Sequence, residues 1–367
     1  MVSRGRFRIL LLALEFPRWR AARHWSYASG LGLEEGLQAC DVELTTLTSP
    51  WFAQVRSLCT GVRFDQVWLD IGRSEQLEEE WLEWVAELAP IRVGFIPESL
   101  DYHPTEAALW AELQTRKQKV ARRLSFVTHV VACDERDVDK INRQGRVPAL
   151  WWPQAVPERF LRWQPTMPTE QYAVFCGSVY GERGMWLEHA ELRQWLVRIP
   201  SPERWTFDPL VFDLLHLPAQ PQLLRHLPGK RHWHAAYLSA LRTVRQRCFT
   251  RWLNAMQGGC AVVNLPHLVK AYPGRVVEGM AAGRAVISWD LPDRPQNKAL
   301  FEDGREILLY STPSQLATHI KRLVTHPEVG QDIAANALHK IRRFHTVERR
   351  VREILDWIDT GKAPSYV

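Results

Sequence analysis

Apolar residues fall along this chain in short blocks separated by longer amphipathic stretches. Blocks rich in Val, Ile, Leu and Phe read as buried strands, and the spaced stretches between them read as helices. In the first half, strands are expected at Phe7–Leu14, Val42–Leu47, Phe64–Ile71, Ile91–Pro97, Phe126–Cys133 and Val147–Trp151. Helices are expected at His24–Cys40, Glu75–Leu88, Thr105–Ser125 and Asp134–Asn142. Alternation of this kind predicts a parallel, doubly wound sheet, whose ligands bind at the carboxyl ends of the strands. The second half repeats the rhythm. Strands are expected at Gln171–Gly177, Cys260–Leu265, Ala285–Ser288 and Glu306–Tyr310, with a long helix over His234–Met256.

Between the halves, Trp152–Glu170 changes character. Pro153, Pro157, Pro165 and Pro168 leave no room for a full strand or helix. The expected organisation is a first domain over 1–155, a linker over 156–170 and a second domain over 171–345. A final helix in 346–367 would pack back on the first domain. The 367 residues suit two domains of ordinary size, and 46% hydrophobic with 24% charged residues supplies a core for each. Arg198–Trp233, rich in Pro, Trp and His, receives no assignment.

Composition narrows the function. The net charge of +6 suits an acidic small substrate or an anionic surface. It comes without a zinc knuckle, an RNA-binding strand motif or a long Lys/Arg block, so nucleic acid is not the expected partner. The six Cys lack metal-ligand spacing and several lie in apolar runs, which reads as reduced thiols of a cytoplasmic protein. His232 and His234 are too close in sequence for a helical ligand pair, and no metal site is expected. Arg6–Leu14 reads as an expected first strand rather than a leader, because Glu15 and Arg18 follow at once. The basic run Arg116, Lys117, Lys119, Arg122 and Arg123 is either a solvated helix face or a place for an anionic acceptor or peripheral membrane contact.

Three stretches carry candidate chemistry. Tyr272–Asp290 (YPGRVVEGMAAGRAVISWD) reads as turn, helix, Gly stop and strand, with Glu278 in the first turn of the helix. Gly177-Ser-Val-Tyr-Gly-Glu-Arg-Gly184 follows a strand and leads into a helix from about Glu182, a geometry that cradles phosphate. Pro97–Pro104 offers Glu98, Asp101 and His103 at a strand end, either as a polar turn or as cleft residues.

The run RVVEGMAAGRAVIS, Arg275–Ser288, resembles the nucleotide-sugar-binding motif of the GT-B glycosyltransferases, and most closely the CgeB-like, spore-maturation-type branch of the group 1 transferases. The segments ALFEDGREILLYSTPSQLATHIKRLV and FHTVERRVREIL resemble the same family's C-terminal part. The resemblance covers about Gln171–Trp357 well and the first half by architecture alone. It implies two Rossmann-like domains facing a cleft, and transfer of a sugar from a UDP or GDP sugar to an unidentified hydroxyl acceptor, with no metal and no cofactor beyond that donor. It implies that Glu278 holds the ribose, with Gly274 and Arg275 beside it. Gly177, Arg183 and Gly184 match the family spacing for diphosphate binding, and Ser178 and Tyr180 lie in the same loop. Two departures stand out. Ser178 replaces an Arg that many relatives carry, for which Arg275 is the substitute, and Lys270 replaces a Glu that touches the donor sugar. If configuration is retained, the leaving phosphate takes the acceptor proton; if it is inverted, Glu98, Asp101 or His103 is the expected base. An epimerase or hydrolase on the same fold, or a non-catalytic scaffold, is the alternative.

Overall fold

The computed structural model describes residues 7–13, 31–48, 59, 61–73, 79–162, 164–199 and 230–367. The loop expected over 15–23, the start of the helix expected from His24 and most of the unassigned stretch 198–233 lie outside these residues.

Two parallel sheets organise the chain. The first contains β1 (Phe7–Ala13), β2 (Val42–Thr48), β3 (Gln66–Asp70), β4 (Ile91–Ile96), β5 (His129–Ala132) and β6 (Ala149–Trp151), in the order β2-β1-β3-β4-β5-β6. Its strands read as continuous apolar runs because both faces are covered. Ile9 and Leu11 point to one face with Trp68, Val93 and Phe95, and Leu10 and Leu12 point to the other with Val67 and Leu69. Helices α1 (Leu31–Gln38), α2 (Glu79–Leu88), α3 (Pro104–Ala107), α4 (Ala111–Arg123) and α5 (Glu135–Gln144) belong to this half. Asp134 caps α5 by accepting from Arg136 N at 3.0 Å, and Gly145 closes it at φ +66°.

The second sheet contains β7 (Ala173–Cys176), β8 (Leu196–Ile199), β9 (Ala261–Asn264), β10 (Ala285–Trp289) and β11 (Leu308–Tyr310), in the order β11-β10-β9-β7-β8. With it go α6 (Arg183–Glu188), α7 (Lys230–Gly258), α8 (Gly274–Ala281), α9 (Pro295–Ala299), α10 (Pro313–Thr325) and α11 (Pro327–Phe344). In this sheet the strand order reverses between β7 and β9, which places a crevice at their carboxyl ends, Cys176 and Asn264. The last helix, α12 (Val347–Thr360), leaves this half. Its apolar stripe Val347, Val351, Ile354 and Trp357 packs with Ile9, Leu11, Leu33 and Leu37.

Two local expectations change, and one strand, β8, was not expected. The single helix expected over Thr105–Ser125 is two, because the chain straightens at Trp110 (φ −144°, ψ 133°), where the indole meets Tyr180 of the other half at 5.1 Å. That tertiary contact outweighs a sequence with ordinary helix propensity. β8 has one buried residue, Leu196, among four, so it carries no strand pattern to read. Glu278 lies in the second turn of α8 rather than the first, since the helix begins at Gly274 behind Pro273.

Candidate functional site

The carboxyl ends of β7 and β9 gather two cations. Arg275, on the first turn of α8, donates from its Nε to the Cys176 carbonyl and from a terminal nitrogen to Asn264 Oδ1 at 3.0 Å. Its guanidinium lies over the Phe175 ring, 4.7 Å from the centroid. Arg183, the first residue of α6, is 3% exposed; it donates to Pro266 O at 2.8 Å and Ser178 O at 2.9 Å and lies 3.9 Å above the Tyr180 ring. Neither guanidinium forms an ion pair with a carboxylate among the described residues. Burial, and then the neighbouring Arg275, lower Arg183 to about 9. Burial also lowers Arg275. Two desolvated, mutually repelling cations held by carbonyls and ring faces are unfavourable alone and suited to a bound anion.

Gly177 makes this convergence possible. A Cβ there would fall on the Arg275 guanidinium, 3.1 Å from its Cζ, and 3.2 Å from the Phe175 ring. Gly184 and Ser178 flank Arg183, and the exposed Ser178 contributes its carbonyl. Gly274 opens α8 as its first residue. Farther along α8, Glu278 is buried and accepts from Trp252 Nε1 of α7 at 2.9 Å. Burial raises its carboxyl to about 7, with the Trp252 bond and Arg275 pulling the other way. Gly283, at φ +72°, turns the chain from α8 into β10. Arg183 and Arg275 thus share the Phe175 ring, with Gly177 against Arg275 and Glu278 within its electrostatic reach.

Other residues that the sequence reading did not single out complete the site. Asn264, at the end of β9, orients Arg275, donates to Ser288 Oγ at 3.0 Å, and accepts from Tyr310 Oη through its carbonyl at 2.9 Å. His267, on the loop after β9, is buried and its Nε2 meets no hydrogen-bond partner among the described residues. Trp252 falls inside the long helix expected over His234–Met256, where no motif marks it. A strand-end Asn and an indole facing a motif Glu leave no spacing signature; only the sheet brings them together.

The first half contributes the loop after β4. Glu98 receives Arg116 and lies 3.7 Å from Arg73. Burial alone would raise it, but the two guanidiniums hold it below the usual carboxylate range. Asp101, whose side chain is 40% exposed, sits 3.3 Å from Lys140 and 3.7 Å from Arg294, and is lowered by these cations against the effect of burial. His103 is exposed and caps α3, in a box whose other member is Glu106. Arg116 and Arg123 of the basic helix are buried ties, the second donating to Ile71 O at 2.8 Å, whereas Lys117 and Arg122 are exposed.

This loop meets the second half directly. Lys270 N donates to Ser99 Oγ at 2.6 Å, and its ammonium pairs with Glu106. Deeper, Arg294 holds Asp134 through bonds of 2.7 and 3.0 Å, with both side chains buried. Glu135 accepts from Asn297 N at 2.6 Å and Gln296 N at 3.2 Å. Among the described residues no group of His, Cys, Asp and Glu is arranged to hold a metal ion, and no helix is long and apolar enough to cross a membrane. His232 is exposed while His234 is buried, and burial followed by Arg242 lowers His234 to about 4. Cys59, Cys133, Cys176 and Cys260 are buried free thiols, raised by burial.

Residues 202–356 match a family model described as glycosyl transferase-like. No curated protein matches the chain. Among solved structures, Anabaena Alr3699/HepE in complex with UDP-glucose is similar in fold, with a TM-score of 0.51 at 13% identity over 96% of this chain and 99% of that one. The same Anabaena protein with UDP and glucose gives 0.52 at 14%, over 96% and 100%. A glycosyltransferase from Rickettsia africae gives 0.50 at 9%, over 96% and 97%. The fold is GT-B, two Rossmann-like α/β domains, and the stretch that matches the glycosyl transferase-like model lies in the second of them and the last helix.

Proposed function

We propose that this chain transfers a sugar from a UDP-type nucleotide sugar to a hydroxyl acceptor, as a member of the CgeB-like branch. The observation that carries this reading is the pair Arg183 and Arg275. Two largely desolvated guanidiniums converge at the strand-order reversal of the second sheet with no acidic partner among the described residues. In this reading they receive the diphosphate, and Gly177 leaves the backbone close enough for contact. Glu278, one turn beyond Arg275, accepts from the two vicinal ribose hydroxyls, which its carboxylate form does best. As the sugar departs, negative charge grows on the diphosphate, and fixed cations in a closed crevice stabilise it without rearrangement. The same positive charge performs the task a metal ion serves elsewhere, so we propose a metal-independent transfer.

We assign the acceptor to the first domain, taken as 1–155, and the donor to the second, taken as 171–345. The loop Glu98–His103 would form the acceptor wall, with Glu98 and His103 holding its shape. Asp101 is its most open carboxylate and the base that this wall offers. The buried thiols are consistent with a reducing, cytoplasmic setting.

Calorimetric titration with UDP, GDP and UDP-glucose tests the donor site. UDP should bind, and Arg183→Ala and Arg275→Ala should each weaken it roughly 10- to 100-fold, the range for hydrogen bonds to charged groups. Asp101→Asn should lower turnover while leaving donor affinity unchanged. Folded protein that binds none of the nucleotides, or Arg variants with unaltered affinity, would overturn the assignment.

A further inference from the structure

The loop between β9 and α8 holds a group that the donor reading leaves unused. His267 is 8% exposed, and its Nε2 is sealed from solvent with no hydrogen-bond partner among the described residues. The neighbouring positions on the loop are committed. Pro266 O accepts from Arg183, and Lys270 is tied to Ser99 and Glu106 across the cleft. A buried imidazole nitrogen left unpaired is disfavoured, and native proteins rarely retain one without a reason. Near this loop the two halves touch through Lys270 with Ser99 and Glu106, and through Tyr180 against Trp110. For a ligand to reach the ring these contacts would have to part, as clefts between domains do when they admit a ligand.

We propose that His267 reads a hydroxyl of the transferred sugar through its free ring nitrogen, making it a specificity-determining residue of the donor site. This rests on the donor reading given above. The chemistry favours a hydroxyl over a phosphate oxygen. The ring is neutral, because burial and then Arg183, Arg275 and Lys270 all disfavour its proton. The anion already has two guanidiniums to itself. A neutral ring nitrogen among cations adds little for a phosphate, whereas it pairs well with a sugar hydroxyl, which is neutral and both donates and accepts. A site built around such a pair rejects a ligand lacking the hydroxyl, because its own buried nitrogen then stays unpaired.

The test compares UDP with UDP-glucose and UDP-N-acetylglucosamine on wild type, His267→Ala and His267→Gln, with melting temperatures recorded for all three. The expected result is unchanged UDP affinity in both variants. The affinity of whichever nucleotide sugar the wild type prefers should fall by roughly tenfold in His267→Ala, the scale of one hydrogen bond. Gln retains polar atoms that can reach a hydroxyl, so it should restore part of the loss. Equal loss for UDP and its sugars would place His267 with the diphosphate and overturn the proposal. Unchanged sugar affinity in a folded His267→Ala would overturn it as well. Wild-type protein that binds no UDP at all would instead remove the donor reading, a failure distinct from either.

Discussion

Replacing Glu278 by Gln should make the free protein more stable at high pH while weakening its ligand. Glu278 titrates at 4.5 in the ordinary state and at about 7 in the fold, where burial is the leading cause. Between these values the folded protein holds a proton that the unfolded chain has released, so stability falls as pH rises through this window. The contribution of the protonated carboxyl is complete below 4.5 and gone above about 7. At 1.36 kcal/mol for each pH unit, the displacement amounts to about 3 kcal/mol. Gln carries no such titration and keeps an oxygen for Trp252 Nε1. The assay is urea unfolding of wild type and Glu278→Gln at pH 4 and pH 8. The stability difference between the two proteins should shift by about 3 kcal/mol in favour of the variant on going from the lower pH to the higher. The same variant should bind UDP roughly tenfold more weakly at pH 8, since the charged acceptor for two hydroxyls is lost. A stability difference that does not change with pH would refute the reasoning about burial. Undiminished UDP affinity would refute the ribose assignment.

Further outcomes follow from single contacts. Gly177→Ala would place a methyl group against Arg275 and Phe175; overpacking should cost about 1–3 kcal/mol in unfolding experiments and displace the guanidinium enough to lower UDP affinity. Asp134→Ala strands Arg294 in a buried position between the halves and removes the cap of α5, so a loss of about 3–5 kcal/mol is expected by chemical denaturation. Trp252→Phe removes the donor that opposes the upward shift of Glu278; the midpoint of the pH-dependent stability change should move above about 7, and an unmoved midpoint would show that the indole does not act on the carboxyl.

The sequence by itself determined the elements and their kind. Apolar blocks such as Phe7–Leu14 and Ala285–Ser288 have strand length and alternate with amphipathic stretches, so the parallel α/β class follows from local pattern alone. Gly177, Arg183, Arg275 and Glu278 drew attention because they stand in stretches that resemble the GT-B nucleotide-sugar motif, and a contiguous motif is visible in one dimension. Tertiary structure decided what those residues face. Whether a guanidinium meets a carboxylate depends on strands far apart in the chain, and only the sheet order, with β7 beside β9, sets Arg183 near Arg275 without an acid between them. The same holds for Glu98, a turn or cleft candidate in the sequence that Arg73 and Arg116 turn into a paired ion. Trp110 bends a helix that propensity would continue, because its indole finds Tyr180 across the cleft. Asn264, His267 and Trp252 have no signature at all. Charge, burial and pKa are properties of the surroundings, and for this crevice the surroundings come from two sheets and a loop that sequence separation keeps apart.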